Sequence, residues 1–233
     1  MISMSPQSDY ESSRRSFLGT SLAVAASFAA SCIGAKNAVA LPAPASTPEA
    51  ALAELLSGNK RFSSNHGTSQ KQDLAALRQQ TSEKQEPFAA VLSCADSRVP
   101  VELIFDQTIG QIFVARVAGN VVTPELIGSL EYGAEVLGAR IVLVLGHSGC
   151  GAVKATIARE EVPGQISSLF PHIQPAVTQA GTNLEAAIKA NAKIQADLLR
   201  NSSTVISNLI KEGKLKVAAG YYDLATGVVE VLT

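Results

Sequence analysis

Four apolar runs limit the folds that this 233-residue chain can adopt. The clearest run, residues 141–145, reads Ile-Val-Leu-Val-Leu, and the others lie at residues 88–92, 111–115 and 215–222. A strand that is apolar at nearly every position must be covered on both faces, which is typical of parallel sheets. The chain therefore predicts a sheet buried between two layers of other elements.

Helical patterns between the runs complete the predicted fold. They cover residues 124–137, 152–160 and 184–211, so strands and helices alternate along the chain. Such alternation predicts an α/β fold with a mostly parallel central β-sheet, flanked by helices and joined by right-handed crossovers. Residues 227–232 follow a turn and predict an edge hairpin strand at the C-terminus.

An N-terminal helical arm is predicted ahead of the first strand. Thr47-Pro48-Glu49 begins a helix that runs to about Phe62, and residues 74–77 predict a weaker helix. We expect this arm to pack on a partner subunit rather than on its own core.

Residues 1–40 have the anatomy of a twin-arginine export signal, and residues 41–233 form the predicted folded domain. Arg14-Arg15 precedes an apolar run that is short for a membrane span, and an A-x-A cleavage site ends at Ala40. The signal predicts a periplasmic or otherwise extracytoplasmic protein. Lipidation at Cys32 ranks below cleavage after Ala40, and a disordered tail with a chance arginine pair is the less favoured alternative to an export signal.

The composition excludes several classes of partner. The chain is 46% hydrophobic and 17% charged, which suits one compact domain with a substantial core. Its net charge is −1 and it carries no basic stripe, so we expect no nucleic-acid partner. We also expect no membrane span once the signal is removed.

Cys94, His147 and Cys150 form the strongest candidate site in the sequence. Two thiolates and one imidazole are a natural ligand set for Zn²⁺, and three protein ligands leave a coordination position for water or substrate. Once residues 1–40 are removed, Cys94 and Cys150 are the two cysteines that remain. Two other interpretations stay open at this point: buried cysteines that act as small apolar side chains, and a disulfide or redox pair.

The predicted strands give these ligands a common location. Cys94 lies just past the first run, His147 lies just past the third run, and Cys150 opens the next helix. Open α/β sheets bind ligands outside the carboxyl ends of their strands, where the strand order reverses. Asp96 and Arg98 lie beside the first ligand, and we interpret them as a catalytic pair rather than as a surface salt bridge.

Several motifs together make the chain resemble a β-class carbonic anhydrase, a zinc enzyme that interconverts CO₂ and bicarbonate. The similarity runs from about residue 49 to residue 232. The matching segments are Cys94-Ala-Asp96-Ser-Arg98-Val99, Phe113-Val-Ala-Arg116-Val-Ala-Gly-Asn120, Leu130-Glu-Tyr132 and Gly146-His147-Ser-Gly-Cys150-Gly151.

The resemblance implies a role for each motif residue. Cys94, His147 and Cys150 would hold zinc, and Asp96 with Arg98 would form the family's catalytic dyad. A bound zinc lowers the pKa of water and so supplies the nucleophile that CO₂ requires. The substrate pocket would be lined by Gln85, Phe113, Tyr132 and Gly151.

The family has two branches, which differ in the resting state of Asp96. In the open, plant-like branch the aspartate is paired with the arginine, and in the other branch it moves onto zinc as a fourth metal ligand. Gln85, Phe113 and Tyr132 match the pocket of the open branch. Family members place part of each pocket at a subunit interface, so we expect a homodimer or a dimer-based higher oligomer.

Two other functions remain open from the sequence. The first is a zinc hydrolase that acts on a related small linear molecule such as CS₂. The second is a catalytically silent, zinc-stabilised binding protein on the same fold, for which loss of the Asp96–Arg98 pair would be the sign; the pair is intact.

Overall fold

A computed structural model describes residues 45–233, which form an α/β fold. Five strands make one sheet: β1 (Ala89–Ser93), β2 (Ile112–Arg116), β3 (Ile141–His147), β4 (Lys216–Tyr222) and β5 (Val229–Leu232). The α-helices are α1 (Pro48–Ser63), α2 (Leu74–Thr81), α3 (Val101–Ile104), α4 (Pro124–Glu131), α5 (Gly151–Ala158), α6 (Phe170–Ala180), α7 (Leu184–Ser202) and α8 (Thr204–Lys211). None of the helices within residues 45–233 is long and apolar enough to cross a membrane.

The sheet has the strand order β2-β1-β3-β4-β5. The first three pairings are parallel, and β5 pairs antiparallel with β4, as the sequence predicted. Chain order starts at β1, moves to one side for β2, and then moves to the other side for β3. The direction therefore reverses between β1 and β3, and ligand sites of open α/β sheets form at such a point.

Both faces of the sheet are buried, which explains why the strands are apolar at nearly every position. Leu92 and Val144 point into the layer made with α7 and α8, whereas Val91 and Leu143 point into the layer made with α1 and α3. Side chains alternate between the two faces of a strand, so a strand covered on both faces needs apolar residues at odd and even positions alike.

Three elements differ in detail from the sequence prediction. The arm helix α1 packs on its own chain, because Ala51 and Leu55 are fully buried in the layer beneath β1 and β3. The long helix predicted over residues 184–211 is two helices, divided at Ser203, whose hydroxyl accepts the backbone N–H of Ile206 and caps α8. Helix α6 was not predicted, and it packs mainly against α7.

Asp106 anchors the N-terminal arm to the turn after α3. Its carboxylate accepts hydrogen bonds from Arg61 Nε at 2.6 Å, from the backbone N–H groups of Thr68 and Ser69, and from the Thr68 hydroxyl. Burial alone would raise the pKa of Asp106, but these hydrogen bonds outweigh burial and hold the pKa well below its usual range. The sequence interpretation assigned Asp106 no role.

We expect Asp106→Asn to lower the free energy of unfolding by about 2–3 kcal/mol at pH 7, because buried charged hydrogen bonds are lost. The folded-state pKa is lowered, so the stabilisation is complete above the ordinary aspartate pKa and is lost as the pH falls toward the folded-state value. Urea unfolding of the wild-type protein and Asp106→Asn at pH 7 and at about pH 3 measures the difference in their free energies of unfolding. We expect this difference to be smaller at about pH 3. An equal difference in the free energy of unfolding at both pH values would contradict an ionised Asp106 carboxylate in the folded protein.

Candidate metal centre

The three predicted ligands meet at the point where the strand order reverses. Cys94 directly follows β1, and His147 is the last residue of β3, one step inside the strand rather than beyond it. Cys150 is the N-cap of α5. Gly149 lies in the short turn between His147 and Cys150. Its φ of 67° is a left-handed conformation that glycine adopts without strain. The turn therefore brings Cys150 back toward His147.

The ligand atoms of Cys94, His147 and Cys150 all lie within 4.8 Å of one another, and all three residues are buried. His147 is fully buried, and its Nε2 atom has no hydrogen-bond partner. Its Nδ1 atom lies 3.0 Å from the Ser148 carbonyl, so Nδ1 carries the proton and Nε2 presents its lone pair to the two sulfur atoms. A buried lone pair facing two thiols fits a bound Zn²⁺.

The two thiols strongly influence each other's ionisation. A hydrogen bond from the Cys150 thiol and one from the backbone N–H of Gly119 lower the pKa of Cys94, although burial opposes them. The neighbouring Cys94 raises the pKa of Cys150, because a second thiolate would be repelled. A divalent cation removes that repulsion, so the donor set fits zinc with both cysteines ionised. Neither cysteine is in a disulfide.

Asp96 and Arg98 form a bidentate ion pair beside the ligands. Arg98 Nε donates to Asp96 Oδ1 at 3.0 Å, and Arg98 Nη2 donates to Oδ2 at 2.8 Å. These bonds lower the pKa of Asp96 well below its usual range. Asp96 Oδ2 lies 3.9 Å from His147 Nε2, so the carboxylate borders the ligand cluster while both its oxygens are held by Arg98.

Arg116 is a site residue that the sequence interpretation did not single out. It ends β2, and its guanidinium donates to the carbonyl of Cys94 at 3.0 Å and to the carbonyl of Asp96 at 2.6 Å. It therefore fixes the short turn that carries both a metal ligand and the dyad carboxylate. Its place inside the matching segment was the only signal in the sequence.

The predicted pocket residues Gln85, Phe113 and Tyr132 lie apart from the ligands of their own chain. Gln85 and Tyr132 line one surface groove, and the Phe113 and Tyr132 rings lie 6.4 Å apart between centroids. This groove is at the amino end of the sheet, whereas Cys94 is at the carboxyl end of β1. A five-residue strand spans roughly 17 Å, so one chain does not unite the two groups. Gly151 alone of the pocket set is beside the ligands, as the first residue of α5.

Comparison with known proteins connects this centre to a family. A family model described as carbonic anhydrase matches residues 89–229, which include all three ligands and the dyad. A carbonic anhydrase from Mycolicibacterium smegmatis is 35% identical over 196 residues, covering 81% of this chain and 95% of that protein.

Solved structures share the fold. The β-carbonic anhydrase of Coccomyxa, in complex with acetazolamide, matches with a TM-score of 0.62 and 25% identity over 78% of this chain and 86% of that one. One of two tetrameric β-carbonic anhydrases from Sordaria macrospora matches with a TM-score of 0.60 and 21% identity over 68% and 90% of the two chains. Together with the Cys-His-Cys centre and its adjoining aspartate, these matches show that the chain belongs to the carbonic anhydrase family, in its β class.

Proposed function

We infer that this protein catalyses the reversible hydration of CO₂ to bicarbonate and a proton, with zinc held by Cys94, His147 and Cys150. One observation carries the inference: three buried ligand atoms within 4.8 Å of one another lie beside a carboxylate that an arginine holds in place. The test is the CO₂ hydration rate of zinc-loaded protein, compared with that of the same protein after zinc removal.

Zinc, Asp96 and Arg98 have different roles in the proposed reaction. Zinc, when bound, lowers the pKa of water and so supplies a nucleophile at neutral pH. Asp96 Oδ2 is placed to accept a hydrogen bond from the attacking water, which directs the oxygen lone pair at CO₂. Arg98 keeps Asp96 ionised and fixes both its oxygens, a bidentate task that the single ammonium of a lysine does poorly.

We further propose that the resting site is open, as in the plant-like branch. The bidentate pairing of Asp96 with Arg98 supports this, because both carboxylate oxygens already accept hydrogen bonds from the guanidinium. A crystal structure of the zinc-loaded protein near neutral pH tests it. We expect Asp96 to remain paired with Arg98, and an Asp96 oxygen on zinc would place the chain in the other branch.

The substrate pocket is proposed to be completed across a dimer. Gln85 is exposed, and Tyr132 keeps 47% of its surface accessible in the groove that the two residues share. They are too far from the zinc ligands of their own chain to contact the same CO₂ molecule. In the proposed dimer, Gln85, Phe113 and Tyr132 of one subunit reach the zinc site of its partner.

Complementation between two defective variants tests the shared pocket. We expect co-expressed, doubly tagged hybrids of Gln85→Ala and His147→Ala to be more active than either homodimer, because one site of each hybrid has intact ligands and an intact Gln85. As a control, Asp96→Asn combined with His147→Ala should show no gain, since both lesions affect the centre of their own chain. Activity of the first hybrid no greater than the mean of the homodimers would contradict a shared pocket, as would a fully active monomer.

Twin-arginine export to the periplasm is proposed from Arg14-Arg15 and the apolar run that follows; this signal lies outside the described residues. This pathway carries folded proteins, so zinc would be loaded before the thiols meet an oxidising compartment. Lysine replacement of both arginines should trap the precursor in the cytoplasmic fraction, where it should still bind zinc and hydrate CO₂. Unchanged export would contradict the signal, and mass spectrometry of the mature N-terminus distinguishes cleavage after Ala40 from lipidation at Cys32.

A further inference from the structure

Helix α7 carries two buried amides on its core-facing side. Asn191 is 1% exposed and Gln195 is fully buried, while their neighbours Ala192 and Ala196 pack in the apolar core. The two amides are four residues apart and therefore lie on the same face of the helix. Buried amides are costly unless they are hydrogen-bonded, so their partners indicate what they are for.

The amides bind the loop that follows β2. Asn191 Nδ2 donates to the Gly119 carbonyl at 2.8 Å, and Gln195 Oε1 accepts the backbone N–H of Val122 at 2.8 Å. Gln195 Nε2 also donates to Asn191 Oδ1 at 3.2 Å, which fixes the direction of the Asn191 side chain. Gln195 Nε2 donates a further hydrogen bond to the carbonyl of His172, on α6.

Gly119 connects this loop to a metal ligand. Its backbone N–H donates to Cys94 Sγ at 3.3 Å, and its φ of 73° is in the left-handed region. A Cβ atom at this position would lie 2.8 Å from Ile173 Cδ1, so the backbone approaches α6 closely. The carbonyl of Gly119 is held by Asn191 while its N–H is directed at the sulfur.

We propose that Asn191 is a positioning residue for zinc chemistry: it holds Gly119 so that the N–H of Gly119 donates to the Cys94 thiolate. The proposal rests on the function inferred above, in which Cys94 is a zinc ligand. Asn191 itself touches neither the metal ligands nor the substrate, and it acts through the loop.

The expected consequence is a more electrophilic metal. Two thiolates cancel the formal charge of Zn²⁺, which weakens its effect on water compared with neutral histidine ligands. A hydrogen bond to a thiolate withdraws electron density from the sulfur, and partners of this kind tune the metal through its ligands. Loss of the Gly119 hydrogen bond should therefore make Cys94 a stronger electron donor and the zinc site a poorer catalyst.

The test compares Asn191→Leu with wild-type protein after both have been loaded with Co²⁺, whose thiolate-to-metal charge-transfer absorption reports on the sulfur donor. We expect the band to move to longer wavelength in the variant, because an unbonded thiolate gives up an electron more readily. In the zinc-loaded variant, kcat/KM for CO₂ should fall about tenfold at unchanged zinc content. If Asn191→Leu does not fold, Asn191→Ala removes the same donor without adding bulk.

Asn59→Leu is the matched control for loss of a buried amide. Asn59 is 4% exposed and bonds to the backbone of Ile104, Gly227 and Val229, none of which is hydrogen-bonded to a metal ligand. This variant should lose stability while it keeps the wild-type absorption band and kcat/KM.

The outcomes separate this proposal from the function on which it rests. Absence of a thiolate-to-cobalt band in the wild-type protein would overturn the assignment of the metal ligands and, with it, the role of Asn191. A wild-type band that is unmoved in Asn191→Leu, or that moves equally in Asn59→Leu, would overturn the role of Asn191 alone.

Discussion

Replacement of His147 by alanine is expected to remove zinc and CO₂ hydration together. His147 supplies the one neutral ligand, and its buried Nε2 atom faces the two thiols with no other partner. Two thiolates alone hold zinc poorly, so the metal content should fall from about one per chain to near zero. The hydration rate should fall by more than about 1,000-fold, toward the uncatalysed rate. Metal analysis and a CO₂ hydration assay on the same preparation measure both.

His66→Ala is the matched control for the loss of a histidine. His66 is exposed, and its ring is hydrogen-bonded to the Ser64 hydroxyl. This variant should keep wild-type zinc content and activity. If His147→Ala lost its zinc and still hydrated CO₂ at the wild-type rate, the metal centre would have no catalytic role.

Asp96→Asn should leave zinc bound and lower kcat/KM for CO₂ by about two or more orders of magnitude, the scale of a lost positioned catalytic group. The amide has nearly the same shape as the carboxylate. It lacks the charge that pairs with Arg98, and it offers one acceptor oxygen where the carboxylate offers two. Steady-state kinetics on zinc-replete protein measure the loss.

The control for this change is Asp223→Asn, in the turn between β4 and β5. Asp223 accepts hydrogen bonds from Ala225 and Thr226 and lies outside the metal centre. Its substitution should leave kcat/KM unchanged. Near-normal hydration by zinc-replete Asp96→Asn would mean that Asp96 serves structure only.

The strands and their mostly parallel arrangement were predictable from the sequence because their physical cause is local. A strand covered on both faces is apolar at nearly every step, as in residues Ile141–Leu145 of β3, and such a run is recognisable without knowledge of its partner strands. The metal ligands were predictable for a related reason. Cys94 and His147 end adjacent parallel strands, and the carboxyl ends of such strands meet at one edge of the sheet.

The polar residues that hold loops and turns in place were not predictable, because their roles depend on partners far away in sequence. Asn191 binds a carbonyl 72 residues away, and Arg61 pairs with Asp106 across 45 residues. A polar residue within a helix carries no local sign of such a contact. For the same reason, the break at Ser203 was hidden within a continuous helical pattern.

The location of Gln85 relative to the metal centre was the hardest feature to predict from the sequence of one chain. The resemblance assigns it to the substrate pocket, yet the fold puts it at the opposite end of β1 from Cys94. The resemblance names residues of the proposed pocket, but the sequence of one chain does not say which subunit supplies them. The distance along β1 is what points to a second copy of the chain.

The most direct test is to measure zinc content and CO₂ hydration on one preparation, first as purified, then after chelation, and finally after zinc is returned. If Cys94, His147 and Cys150 hold a catalytic metal, the purified protein should contain about one zinc per chain. Activity should disappear with the metal and return with it. Full hydration activity in protein shown to be free of zinc would contradict the assigned function.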